Sequence, residues 1–128
     1  MSLAEAQAAG TQPWPAEIRL FRELGQLEVD FEDGRNFTYP AEYLRVESPS
    51  AEVQGHSADQ KKIVAGRRHV RIDGIEPVGN YAIRIRFSDK HDTGIFSWAY
   101  LRELGEKYQE KWDAYLAALL YRGLSRDP

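Results

Sequence analysis

Residues 27–45 read LEVDFEDGRNFTYPAEYLR, and residues 83–102 read IRIRFSDKHDTGIFSWAYLR. Each opens on alternation: Leu27, Val29 and Phe31 against Glu28, Asp30 and Glu32, then Ile83, Ile85 and Phe87 against Arg84 and Arg86. A period of two marks a strand with one buried face. Each then enters a polar turn containing aspartate. Asp33-Gly34 is a hairpin signal, because glycine accepts the positive φ that tight primed turns need. A short aromatic strand follows, Tyr39 matching Phe96, and then a helix in which Tyr-Leu-Arg recurs at 43–45 and 100–102. The second turn holds one residue more than the first. Ile18-Arg19-Leu20 and Val70-Arg71-Ile72 supply a strand ahead of each stretch. Two strand–hairpin–helix units plus a C-terminal helix predict a small single α+β domain with antiparallel sheet.

Working outward, the strands are expected at 17–24, 27–31, 36–39, 68–75, 81–87 and 95–96, with Pro77 and Gly79 as punctuation. Pro40 opens a helix at 41–46, since proline suits the first helical turn, and Ser48-Pro49-Ser50 ends it. Ser97 is placed to cap a helix at 98–104. Gly105 ends or bends that helix. Residues 106–121 form the last helix, with Tyr108, Trp112, Tyr115, Leu116 and Leu119 as its apolar row. The polar stretch 53–66 reads as a loop. Residues 1–13 read as a flexible lead-in, 14–122 as the domain and 123–128 as a C-terminal tail. The predicted core is Ile18, Leu20, Leu27, Val29, Phe31, Leu44, Val70, Ile72, Ile83, Ile85, Phe87, Leu101, Trp112 and Leu116.

The 128 residues suit one domain, and 42% are apolar. Absence of cysteine excludes a disulfide scaffold, thiolate-held zinc or iron–sulfur clusters and a Cys nucleophile. A formal charge of −3 disfavours a general nucleic-acid coat. The charge is uneven: residues 54–90 carry a net +4 and the remainder −7. Arg71, Arg84 and Arg86 are placed to form a basic sheet face, a docking surface for an acidic protein or a phosphate backbone. The plainer reading is the polar face of a half-covered sheet. No apolar run is long enough for a membrane helix, and the N-terminus lacks the pattern of a signal peptide, so a cytoplasmic location is expected.

Catalytic templates are missing: there is no G-x-S-x-G elbow, phosphate-binding P-loop or H-E-x-x-H helix. Glu42, Glu47 and Glu52 have no visible acid–base partner, and Ser48 and Ser50 no visible histidine base. Intrinsic turnover is not expected. His91 lies between Asp89 and Asp92, a weak candidate metal site, since neighbours in a turn seldom aim at one centre. His56 and His69 read as surface residues, and Trp98 as a partly exposed aromatic of the kind that anchors interfaces. Under pseudo-two-fold packing, Arg45, Glu47 and Ser48 come near His91, Asp92 and Trp98, forming a polar pocket with an aromatic wall. A surface ion pair is the plainer role for Arg45.

PAEYLRVESPSAEV at 40–53, IEPVGNYAI at 75–83 and HDTGIFSWAYLRELG at 91–105 resemble the DUF971 family, the domain also found at the N-terminus of γ-butyrobetaine hydroxylase-like dioxygenases. The resemblance runs from Trp14 to Gly105. It implies a domain that occurs alone in bacteria and fused to Mrp-type iron–sulfur carrier ATPases. The dioxygenases carry their catalytic iron in a separate domain, so oxygenase activity does not follow. In them this domain holds a structural zinc through three cysteines and a histidine. The matching positions here are Ser48, Ser50, Val53 and His91, so that zinc is expected to be lost and no cofactor is expected. The implied role is a non-catalytic adaptor for iron–sulfur carrier ATPases or non-haem iron oxygenases, with a homodimer also open. A divalent-metal or iron-responsive domain at the His91 turn and a weak nucleic-acid binder are the alternatives.

Overall fold

A computed structural model describes residues 14–128, so the lead-in at 1–13 lies outside the described residues. The order is β1 (Pro15–Phe21), β2 (Gln26–Phe31), β3 (Asn36–Pro40), α1 (Ala41–Val46), α2 (Ala51–Gln54), a 3-10 turn at Ala58–Gln60, β4 (Ile72–Val78), β5 (Ala82–Phe87), β6 (Ile95–Ser97), α3 (Trp98–Glu106) and α4 (Tyr108–Arg122). The fold is α+β. Its strands divide into two three-stranded antiparallel sheets, one per unit, ordered β1-β2-β3 and β4-β5-β6. Leu27, Val29 and Phe31 from one sheet share a single buried cluster with Ile72, Ile83, Ile85 and Phe87 from the other. Among the described residues no helix is long and apolar enough to cross a membrane.

The units match in detail. Pro15 pairs with Phe31 and the register then slips before Glu17–Asp30; Ile72 pairs with Phe87 and slips before Gly74–Arg86. Gly34 and Lys90 hold equivalent turn positions with φ of 88° and 74°. Phe31 N–H donates to the Arg35 carbonyl, and Phe87 N–H to that of His91. The halves also clasp each other reciprocally. Tyr43 of the first donates its hydroxyl to the Leu104 carbonyl of the second at 2.7 Å, and Tyr100 of the second donates to Glu47 of the first at 2.6 Å. Arg45 reaches Asp89, and Arg102 reaches Asp33.

Several boundaries move. β1 starts at Pro15 and ends at Phe21, leaving Leu24 exposed in the turn. The fourth strand occupies Ile72–Val78 and not 68–75, and Pro77 lies inside it. β4 pairs with β5 alone, and an edge strand tolerates a residue that donates no hydrogen bond on its open side. The expected 53–66 loop begins inside a helix: α1 ends with Glu47 as its C-cap, and Ser50 caps α2 by accepting the Glu52 amide. Gly105 neither ends nor breaks α3, which continues to Glu106. In α4, Leu116 faces solvent, and the buried row is Tyr115 and Leu119 with partly buried Tyr108 and Trp112. The core further includes Tyr39, Tyr43, Phe96 and Leu104. Residues 123–128 pack back on the domain: Gly66 and Arg68 amides donate to Ser125 and Arg126 carbonyls, and Arg126 forks onto Glu42.

Candidate functional site

Two segments meet at one corner of the molecule: the end of α1 running into α2, and the turn between β5 and β6. Gly94 allows the approach. A Cβ there would strike Ser48 Oγ and crowd Phe96 and Pro49. The equivalent approach in the other half is Gly105 against the ring of Phe37. One crossing is therefore filled by a phenyl ring, while the other brings a serine to a histidine.

Ser48 Oγ lies 2.8 Å from His91 Nε2, and His91 Nδ1 lies 3.3 Å from Glu52 Oε2. The neutral tautomer that satisfies both contacts donates Nδ1–H to Glu52 and accepts the Ser48 hydroxyl at Nε2. Burial pushes the His91 imidazole below its ordinary pKa and the Arg45 charge adds to this, while the nearby Glu52 and Asp89 oppose it without prevailing. Ser50 Oγ lies 2.7 Å from Thr93 Oγ1, a second link across the corner. The order serine, histidine, carboxylate is that of a nucleophile, base and orienter. Ser48, however, is fully buried and also accepts the Ser50 amide. A nucleophile must meet its substrate, so this chain of hydrogen bonds holds two segments together.

Of the four positions at which the resemblance implies zinc ligands, Ser48 meets His91 and Ser50 meets Thr93, but the donor set is poor. Val53 is buried and apolar, Ser48 bonds directly to the histidine that would ligate, and neither thiolate nor carboxylate stands at the serine positions. These residues do not fit a zinc ion. Among the described residues no cluster of three histidine, aspartate or glutamate side chains is poised for a metal. Asp89 does not face a common centre with His91 and Asp92. It takes two arginines instead, and Asp92 is exposed.

Arg45 is no surface residue: it is 8% exposed. Its Nε donates to Asp89 Oδ2 at 2.7 Å, and Arg67 Nε donates to the same oxygen at 2.7 Å. Burial would lift the Asp89 carboxyl, but Arg45, the His91 amide and Arg67 outweigh it and hold it below the usual carboxylate range. Arg102, the counterpart of Arg45, is better satisfied. It forks onto Asp33 at 2.7 and 3.0 Å, donates Nε to Glu106, and lies over the Phe31 and Phe37 rings. Arg45 Nη1 is buried without any hydrogen-bond partner.

Glu47 is buried near the corner and accepts Lys61 Nζ at 2.8 Å. Trp98 is half-buried but does not wall this pocket. Its amide and indole N–H donate to Tyr81 and Asn80, at the far end of β5 from the His91 turn. The basic face is reduced as well. Arg84 and Arg86 both pair with Glu76 across the β4–β5 ladder, and Arg71 precedes β4. His56 and His69 are exposed. Reading the sequence missed Glu52 as the partner of His91, and missed Arg67. Neither had a local signal, since both contacts join segments more than 20 residues apart. The crossed Arg–Asp pairs were available in principle, because both arginines and both aspartates hold equivalent places in the repeat.

Residues 18–102 match the family described as gamma-butyrobetaine hydroxylase-like, N-terminal. No curated protein gave a significant match. Among solved structures, one NMR solution structure is 41% identical, covers 92% of this chain and 93% of its own, and superposes with a TM-score of 0.81. A second is 43% identical over 91% of this chain and 87% of its own, with a TM-score of 0.79. A crystal structure of a protein of unknown function from Acidithiobacillus ferrooxidans, assigned to the DUF971 family, is 41% identical over 74% of this chain and 98% of its own, with a TM-score of 0.63.

Proposed function

The chain belongs to the gamma-butyrobetaine hydroxylase-like N-terminal (DUF971) family, and on that premise we propose that it is a non-catalytic, cytoplasmic adaptor that docks on another protein. One observation carries the reading. The outward side of α4 presents Leu116, Leu120 and Tyr121, and Leu124 follows two residues past its end, with Leu120 82% and Tyr121 91% exposed. Leu116 and Leu120 lie one helical turn apart on the same face of α4, with Tyr121 next to Leu120, and Leu124 follows the left-handed Gly123 that ends the helix. A contiguous apolar patch on a soluble domain marks a contact surface, and Tyr is among the residues that anchor interfaces.

The corner supports binding over chemistry, because its only serine–histidine pair is shut away from solvent. It also disfavours a metal-responsive role, since both His91 ring nitrogens are engaged. The pairing of Arg84 and Arg86 with Glu76 disfavours nucleic acid. No resident cofactor is part of the proposal. The family's fusions make an Mrp-type iron–sulfur carrier ATPase the first partner to test.

The test is a fluorescence titration of the labelled chain with such an ATPase purified from the same cells, repeated with Leu120→Glu and Tyr121→Glu. Saturable binding that weakens at least tenfold in both variants, at an unchanged melting temperature, is expected, because buried interface anchors commonly contribute about 2 kcal/mol or more. Binding unaffected by both substitutions contradicts the α4 surface. Concentration-dependent dimerisation abolished by the same substitutions would assign the patch to a second copy instead.

A further inference from the structure

We infer that the cavity beside the His91 corner binds a small molecule bearing a carboxylate or phosphate group. The cavity measures about 430 Å³ and is lined by three cationic side chains, Arg45, Lys62 and Arg67. Ile63 and Val64 supply apolar wall, and Glu52 stands at the edge with its side chain 63% exposed.

The two halves of the protein provide an internal comparison. Arg102 places all three of its guanidinium nitrogens on Asp33 and Glu106. Arg45, at the equivalent position, reaches its aspartate through Nε alone, and its Nη1 is buried with no hydrogen-bond partner. The position equivalent to Glu106 is Pro49, which has no side-chain acceptor to offer. A buried donor of a charged group without a partner is costly, and such orphans are rare in folded proteins.

The charge arrangement fits an incoming anion. Asp89 accepts from Arg45 and Arg67 through one oxygen, which fixes both guanidinium groups side by side while neutralising only one charge. Lys62 is exposed and makes no ion pair among the described residues. With Glu52 included, the cluster retains one net positive charge. Guanidinium groups pair with carboxylate and phosphate oxygens in well-defined geometry. The neighbouring apolar wall gives the remainder of a small ligand something to rest on.

The test uses the intact chain and NMR titrations with inorganic phosphate and, separately, acetate, at ionic strength held constant with chloride. The readout is the Arg45 and Arg67 Nε–Hε resonances. Saturable shifts with either anion are expected, phosphate alone indicating a phosphate-bearing ligand and acetate alone a carboxylate. Lys62→Glu and Arg67→Gln should each weaken the affinity roughly tenfold, the loss of one charge-assisted contact. Lys62→Glu changes an exposed side chain and leaves folding intact, so its result does not depend on the stability of the corner. Shifts that grow linearly with both anions, or saturation indifferent to both substitutions, overturn the site. The cavity lies apart from the outer face of α4, so neither result decides the docking reading.

Discussion

His91 shows how one residue can be legible as unusual and still be misread in role. Its two aspartate neighbours suggested a metal site, yet its partners are Ser48 and Glu52 from the other segment. Its imidazole titrates below its ordinary value of about 6.5. The unfolded chain therefore binds the proton first. The contribution of His91 to stability is complete above that value and is lost as pH falls below it towards the folded pKa. Urea unfolding at pH 7 and pH 5 should show a larger acid loss for the parent than for His91→Gln. Asp89 and Asp33 are held below the carboxylate range, so their losses come at lower pH and do not confuse the comparison. Equal acid losses in parent and variant would contradict the neutral, buried histidine. Glu52 was unreadable in role for the same reason as His91: a side chain's partner across a tertiary crossing leaves no mark on its own neighbours in sequence, whereas the ion pair of Arg45 was expected and only its burial was not.

At the scale of elements, alternation located β2 and β5 well, because each buries one face fully and the other mostly in part. It failed for β4. Pro77 reads as a breaker until the strand is known to be an edge. In α4 the spacing admitted Leu116 to the buried row, but the row is only as wide as the surface beneath it, and Tyr115 with Leu119 fills that. Tyr39 and Tyr43 are outside the predicted core, yet both are buried, each hydroxyl donating to a main-chain carbonyl. The partners are the Leu101 and Leu104 carbonyls of α3. The two glycine crossings are testable. Gly105→Ala improves helix propensity by about 1 kcal/mol, yet its Cβ meets the Phe37 ring, and a net loss of about 1–3 kcal/mol is expected from overpacking. Gly94→Ala should also destabilise, and Ser48→Ala should recover part of that loss, since Ser48 Oγ is the nearest obstacle. Strict additivity in this double-mutant cycle would contradict the crossing.

Across the whole molecule, the repeat was legible in sequence, while the exchange of contacts between its halves was not. Tyr43 with Leu104, Tyr100 with Glu47, Arg45 with Asp89 and Arg102 with Asp33 make the two sheets one cooperative body. Phe87, 2% exposed in the shared core, should cost about 3–5 kcal/mol on truncation to alanine and shift a single transition. A second, separate transition would deny the clasp. The interlock also explains why the corner itself offers little surface to a partner: Arg45, Glu47, Ser48 and His91 are buried holding the halves together. The most exposed large apolar side chains among the described residues, Leu120 and Tyr121, lie instead on the outer face of α4. Amide hydrogen exchange on the chain alone and in complex with the carrier ATPase tests docking on that face most directly. New protection confined to 116–124 is the predicted result. Protection of the 89–94 turn and β5, with 116–124 unchanged, would contradict it.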